Sequence, residues 1–108
     1  MPENTAHVFY NDVPESEVQS YVDAIQPHSY RTLYHEQSFA PWKHFPSTYI
    51  ICEQDNAIPL QAQEGMISAA KAACPTSFDM VERCSASHSP FLSMPEKVAD
   101  FLVKAASG

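Results

Sequence analysis

Glycine is nearly missing from this 108-residue chain: there are two, Gly65 and the terminal Gly108. Phosphate-cradling loops, dinucleotide fingerprints and calcium loops all need glycine at fixed offsets, so none of them can be assembled here. Tight Asn-Gly or Gly-X hairpin turns are absent as well, which argues against an all-β meander. Basic residues are equally scarce. Six Lys and Arg face thirteen Asp and Glu, a net charge of −7, and the chain stays negative even with its five histidines protonated. Sequence-independent nucleic-acid binding needs clustered cations to displace phosphate counterions, and no such cluster exists. No apolar run approaches the length that crosses a bilayer, so no membrane partner is expected.

Cysteine is present but unpaired. Cys52, Cys74 and Cys84 form an odd set without a CxxC spacing, unlike a secreted disulfide framework. A zinc site drawn from Cys74, Cys84 and His88 would lack both paired spacing and a fourth ligand, so no metal is assigned. Met1-Pro2-Glu3-Asn4 has neither the basic start nor the apolar stretch of a signal peptide, which makes a reducing, cytoplasmic compartment the expectation. No cofactor is implied.

What is there divides at about residue 46. Asp12-Val13-Pro14-Glu15 reads as a helix entry with Asp12 as cap, and Val18, Tyr21, Val22 and Ile25 follow as an apolar stripe up to Pro27. Tyr30, Leu33 and Tyr34 suggest a short second helix, and Phe39–Pro46 an ordered loop. The period then changes. Thr48-Tyr49-Ile50-Ile51-Cys52 is β-branched and apolar on both faces, as in a buried parallel strand. Helix formers run from Pro59 to Ala73, with Leu60, Ile67, Ala70 and Cys74 on one side, and Gly65 within them is tolerable where it permits close packing. Ser77–Cys84 reads as a second strand. Ser93-Met94-Pro95-Glu96 matches the capping-box pattern, and Val98, Phe101, Leu102 and Ala105 form the stripe of a last helix.

A strand–helix–strand run implies parallel strands joined by a right-handed crossover. Two strands make too small a sheet, because parallel sheets are normally covered on both faces. Residues 47–108 therefore read as the end of a larger α/β sheet whose earlier strands are missing, and residues 1–46 as a helical cap-like segment. Asp55 and His88 each follow a strand at its carboxyl end, so both emerge at the rim where open α/β sheets hold ligands. A carboxylate beside an imidazole sets its tautomer and stabilises the imidazolium, which suits general-base catalysis. Two plainer roles stand beside that one: Asp55 in an Asx-turn or capping the helix at Pro59, and His88 as an exposed loop histidine. His7, His28, His35 and His44 read as solvated or packing residues, and Cys84 as a buried strand-end thiol.

The run Thr48-Tyr49-Ile50-Ile51-Cys52-Glu53-Gln54-Asp55-Asn56-Ala57-Ile58-Pro59 resembles the acid-bearing strand end of the α/β-hydrolase superfamily. It is most similar to the esterase-type branch that includes plant methylesterases and hydroxynitrile lyases and their bacterial and fungal relatives. Ala86-Ser87-His88-Ser89-Pro90-Phe91-Leu92-Ser93 and Pro95-Glu96-Lys97-Val98 resemble its histidine loop and last helix. Val8–Val13 resembles the start of its cap, so the similarity covers residues 7 to 104. The resemblance implies Asp55 as triad acid, His88 as triad base, and a small carboxylic ester as substrate. One departure is Ala86-Ser87, where relatives commonly carry a glycine before the histidine. The larger departure is the nucleophile: the family's serine sits on a G-x-S-x-G elbow upstream of the acid, and no glycine precedes Gly65. The chain thus resembles the C-terminal part of an α/β-hydrolase fold with an incomplete sheet, expected to be inactive alone. The alternative is a non-catalytic interaction module, or a truncated gene product, that pairs with a partner or with itself through the open sheet edge. Tyr21, Phe39, Trp42 and Phe45 are expected to pack rather than to shape a substrate pocket.

Overall fold

The computed structural model of the protein describes residues 4–107; Met1–Glu3, on which the absence of a leader was read, and Gly108 lie outside them. Two strands, β1 (Thr48–Cys52) and β2 (Met80–Cys84), pair in parallel with Thr48 opposite Met80 and Cys52 opposite Cys84. Helix α3 (Leu60–Ala73) makes the crossover between them. Ahead of the sheet lie α1 (Thr5–Phe9), α2 (Glu15–Ala24) and two 3₁₀ turns, Tyr30–Leu33 and Pro41–Lys43. After it come α4 (Pro90–Ser93) and α5 (Pro95–Ser107). The expected order of helix, helix, strand, helix, strand, helix holds for the long elements. The expected second helix is one 3₁₀ turn, and α1 and α4, each five residues or fewer, are too short to show a period in sequence.

The starts of α2 and α5, each beside a proline, differ from expectation. The residue before a proline is disfavoured in the α region. Val13 and Met94 therefore stay outside; α5 begins one residue later than its capping pattern suggests, and α2 two residues later. Pro14, extended at ψ 138°, occupies the N-cap of α2, and Asp12 does not cap it. Helix α5 starts at Pro95, so the capping box at Ser93 does not form. The second strand is also shorter than read. Ser77 donates its hydroxyl to the carbonyls of Ala70 (3.0 Å) and Cys74 (2.6 Å), closing the end of α3, and Phe78 turns the chain at φ 50°. That left-handed turn carries the Phe78 ring toward Trp42 and Tyr49.

The buried core is small: Ile51, Cys52, Ile67, Ala70, Cys84, Ala86 and Phe101. In α3 the inward residues are Gln63, Ile67 and Ala70, with Leu60 and Cys74 half-buried. Gly65 faces open space, since a Cβ built there meets nothing within 4 Å, so close packing is not its reason. The stripe Val18, Tyr21, Val22, Ile25 is half-buried as a unit. Leu102 departs from the expected α5 stripe and is 60 % exposed. A Cα radius of gyration of 15.5 Å exceeds the roughly 13 Å of a compact domain of this length.

The thiols separate by environment. Cys52 and Cys84 are buried side by side with their sulfurs 4.0 Å apart, and burial, with Cys84 adjacent, pushes the Cys52 thiol up to about 12. Cys74 lies away from them at the end of α3, where the Thr76 hydroxyl holds its thiol below the usual range. The three cysteines and His88 are thus not gathered; among the described residues no cluster of three such ligands forms. Thiolate is the reacting species, so iodoacetamide at pH 8 is expected to alkylate Cys74 first. Cys52 and Cys84 should follow only in denaturant. Peptide mass spectrometry checks this, and prior labelling of Cys84 in the folded chain would contradict it.

Candidate active site

The parallel ladder does not stop at the strand ends. Glu53 N–H donates to the Cys84 carbonyl at 2.9 Å and Gln54 N–H to the Ala86 carbonyl at 3.0 Å. These bonds carry the two chains side by side past the sheet edge, which is what brings residue 55 beside residue 88. Asp55 then turns. Its Oδ1 accepts the backbone N–H of Ala57 (2.8 Å) and Ile58 (2.9 Å), and its carboxylate faces His88 Nδ1 at 3.0 Å through Oδ2 and 3.2 Å through Oδ1. The Asx-turn role and the imidazole contact are therefore both present in one side chain. The Asp55 side chain is 5 % exposed, whereas that of His88 is 35 % exposed, so the acid is enclosed and the imidazole reaches solvent. A carboxylate acceptor requires the proton on Nδ1, which leaves Nε2 with the free lone pair.

Behind Asp55 stands Gln63, a residue the sequence reading did not single out. It is 1 % exposed. Its Oε1 accepts Cys52 N–H (2.9 Å), and its Nε2 donates to the carbonyls of Cys52 and Ile58, each at 2.8 Å. The amide thus mimics a neighbouring strand at the end of β1 and ties the acid turn to α3. Polar glutamine in the middle of an otherwise apolar stripe was the only available signal.

The histidine loop is held from the other side. Ser87, fully buried, donates its backbone N–H to Asp12 Oδ2 at 3.0 Å and its hydroxyl to the Phe9 carbonyl at 3.4 Å. Its Oγ also accepts Ser89 N–H at 3.2 Å. Phe78 alone among the described non-glycine residues has positive φ, so the position before His88 does not demand glycine and Ser87 fits there without strain. Burial pushes the Asp12 carboxyl up, but hydrogen bonds from Ser87 and Ser93 outweigh it and hold Asp12 below the usual carboxylate range.

Beside the imidazole is an aromatic cleft of about 310 Å³ lined by Phe9, Tyr10, Ile25, His88, Ser89 and Phe91. The Phe9 ring centroid lies 5.3 Å from that of His88. None of Tyr21, Phe39, Trp42 and Phe45 lines it. Tyr21 packs on Tyr10, Phe39 stacks on His44, Trp42 meets Phe78, and Phe45 is 62 % exposed. The cleft was missed because Phe9 and Phe91 come from α1 and α4, the two helices too short to read.

A parallel α/β edge that presents a carboxylate–imidazole couple defines the class of fold, and the comparisons name the family. The profile of the alpha/beta hydrolase family matches residues 1–101, and the chain belongs to that family. The alpha/beta hydrolase NvfD of Aspergillus novofumigatus is 42 % identical over 67 residues, which span 62 % of this chain and 25 % of the relative. Polyneuridine aldehyde esterase has a solved structure that superposes with a TM-score of 0.78 at 18 % identity, over 98 % of this chain and 41 % of that one. The fold is therefore part of an α/β-hydrolase fold, and the chain spans about a quarter to two fifths of these relatives.

Proposed function

We propose that this chain supplies the acid and the base of an esterase-type acyl transfer, with Asp55 orienting His88 and the serine coming from a G-x-S-x-G elbow outside these residues. The observation that carries the reading is the 3.0 Å contact between His88 Nδ1 and a carboxylate that is itself held by two backbone amides. His88 Nε2 takes the serine proton as the hydroxyl attacks a carboxylic ester, and returns it to the departing alcohol; water then releases the acyl group by the same path. The aromatic cleft beside the imidazole supports a small substrate with apolar substituents. Residues 1–46 act as cap-like segment and residues 47–108 as core, and the protein works in the cytoplasm. No helix among the described residues is long and apolar enough to cross a membrane.

Alone, the chain has no elbow and no oxyanion loop, and it is inactive. The test joins it behind an N-terminal α/β-hydrolase segment that bears the elbow. The isolated chain is expected to take no label from a fluorophosphonate probe, and the chimera to take one equivalent on the elbow serine. Stoichiometric labelling of a serine in the isolated chain would overturn the proposal. A second reading rests on a separate observation: Tyr30, Leu33, Tyr34, Phe39 and Phe45 are all more than half exposed beside a two-stranded open sheet. Such a surface suits an interaction module that pairs with a partner or with itself. Light scattering separates the two, since a monodisperse monomer counts against pairing.

A further inference from the structure

The groups that hold Asp55 and His88 together past the last ladder bond come from the N-terminal segment, not from the sheet. Besides a 3.4 Å contact between Asn56 Nδ2 and His7 Nε2, four hydrogen bonds run between residues 7–12 and the two loops. On the acid side, Asn11 Nδ2 donates to the Gln54 carbonyl at 2.9 Å, and Asn56 Nδ2 donates to the His7 carbonyl at 2.9 Å. On the histidine side, Ser87 N–H donates to Asp12 Oδ2 at 3.0 Å and Ser87 Oγ to the Phe9 carbonyl at 3.4 Å. Residues 54 and 56 flank the acid, and residue 87 immediately precedes the base. One stretch of six residues therefore grips both loops at the positions next to the reacting pair.

We propose that Asn11 and Asp12 are positioning residues that clamp the acid turn to the histidine loop, so that the seating of the N-terminal segment sets the Asp55–His88 contact. The proposal rests on the reading of that pair given above and assigns a control element to it. Beyond Ala86 no sheet bond restrains the histidine loop, and the buried Ser87 amide finds its partner in the Asp12 carboxylate. The Asp12–Ser87 bond has an ionised acceptor, the stronger kind of hydrogen bond. Asp12 does not cap α2, so its placement is explained by the Ser87 amide rather than by its own helix. Phe9, next to the clamp, lies against the imidazole, which couples the same segment to the cleft.

Nuclear magnetic resonance on the chain tests this without requiring activity. In the wild type the His88 Nδ1 proton, held by a carboxylate, is expected to give a strongly deshielded resonance, and the Ser87 amide to exchange slowly. Asp12→Ala should speed Ser87 exchange about tenfold or more and remove the Nδ1 proton resonance, while the α3 signals stay in place. Asp12→Asn keeps an oxygen acceptor and should restore most of both signals. Equal loss in the two variants, or a folded Asp12→Ala chain that keeps both signals, overturns the clamp. Should Asp12→Ala fail to fold, Asn11→Ala decides through an exposed side chain. Faster exchange at Ala57 and Ile58 supports the clamp, and unchanged exchange overturns it. A wild-type chain without the deshielded resonance overturns the Asp55–His88 reading instead, and the clamp with it.

Discussion

Asp55→Asn in the chimera that bears the serine elbow is expected to lower kcat for a chromogenic aryl ester about 10⁴-fold while leaving the fold intact. The direction follows from the two jobs of one carboxylate. Oδ1 accepts the Ala57 and Ile58 amides, so an asparagine must keep its oxygen there to preserve the turn. Its amide NH₂ then occupies the place of Oδ2 and donates to His88 Nδ1. That forces the imidazole proton onto Nε2, where the base should be free, and the residue becomes the wrong tautomer at the right position. His88→Ala removes the base itself and is expected to cost on the order of 10⁴- to 10⁶-fold. Steady-state kinetics on both variants, with circular dichroism to confirm folding, checks the pair. Activity within tenfold of the parent chimera in either variant would show that the proton moves elsewhere.

The second large effect concerns stability. Gln63→Leu is expected to destabilise the chain by about 3–5 kcal/mol, measured as a shift of the urea midpoint at constant slope. Leucine is near glutamine in size, so the loss is not a cavity effect. It comes from three backbone groups, Cys52 N–H, Cys52 C=O and Ile58 C=O, that lose their partner in a site that is 1 % exposed. Each orphaned buried group costs about 1–3 kcal/mol. Against a total of about 5–15 kcal/mol for ordinary domains, such a loss is large, and this chain has a small core with which to absorb it. A midpoint shift of less than about 1 kcal/mol would show that water replaces the amide, and that the end of β1 is looser than its geometry implies.

The parts of the fold that follow short-range rules were legible in the chain. The parallel strand at 48–52 follows from its β-branched and apolar residues, but its expected burial holds only for Ile51 and Cys52; Thr48, Tyr49 and Ile50 are half-buried in a sheet of two strands. The crossover helix follows from the run after Pro59, and the placement of residues 55 and 88 at one rim follows from strand direction. Prolines misled where a capping residue stood beside them. Asp12 and Ser93 both match a cap by type and spacing, yet the residue ahead of each proline resists the helix and the cap site moves past them.

Charge and the scarcity of glycine set the expectation of no nucleic-acid surface and no phosphate loop, while hydrophobic period and the placement of prolines set the order of strand, acid, helix, strand and histidine. Those are properties of local composition and of period, which need no partner to be expressed. Only the tertiary structure decided that Asp12 bonds Ser87, that Gln63 completes the edge of β1, and that Phe9 faces His88. Each joins residues between 11 and 79 positions apart, and a hydrogen bond or ring contact across such a span leaves no periodic trace in the chain that makes it.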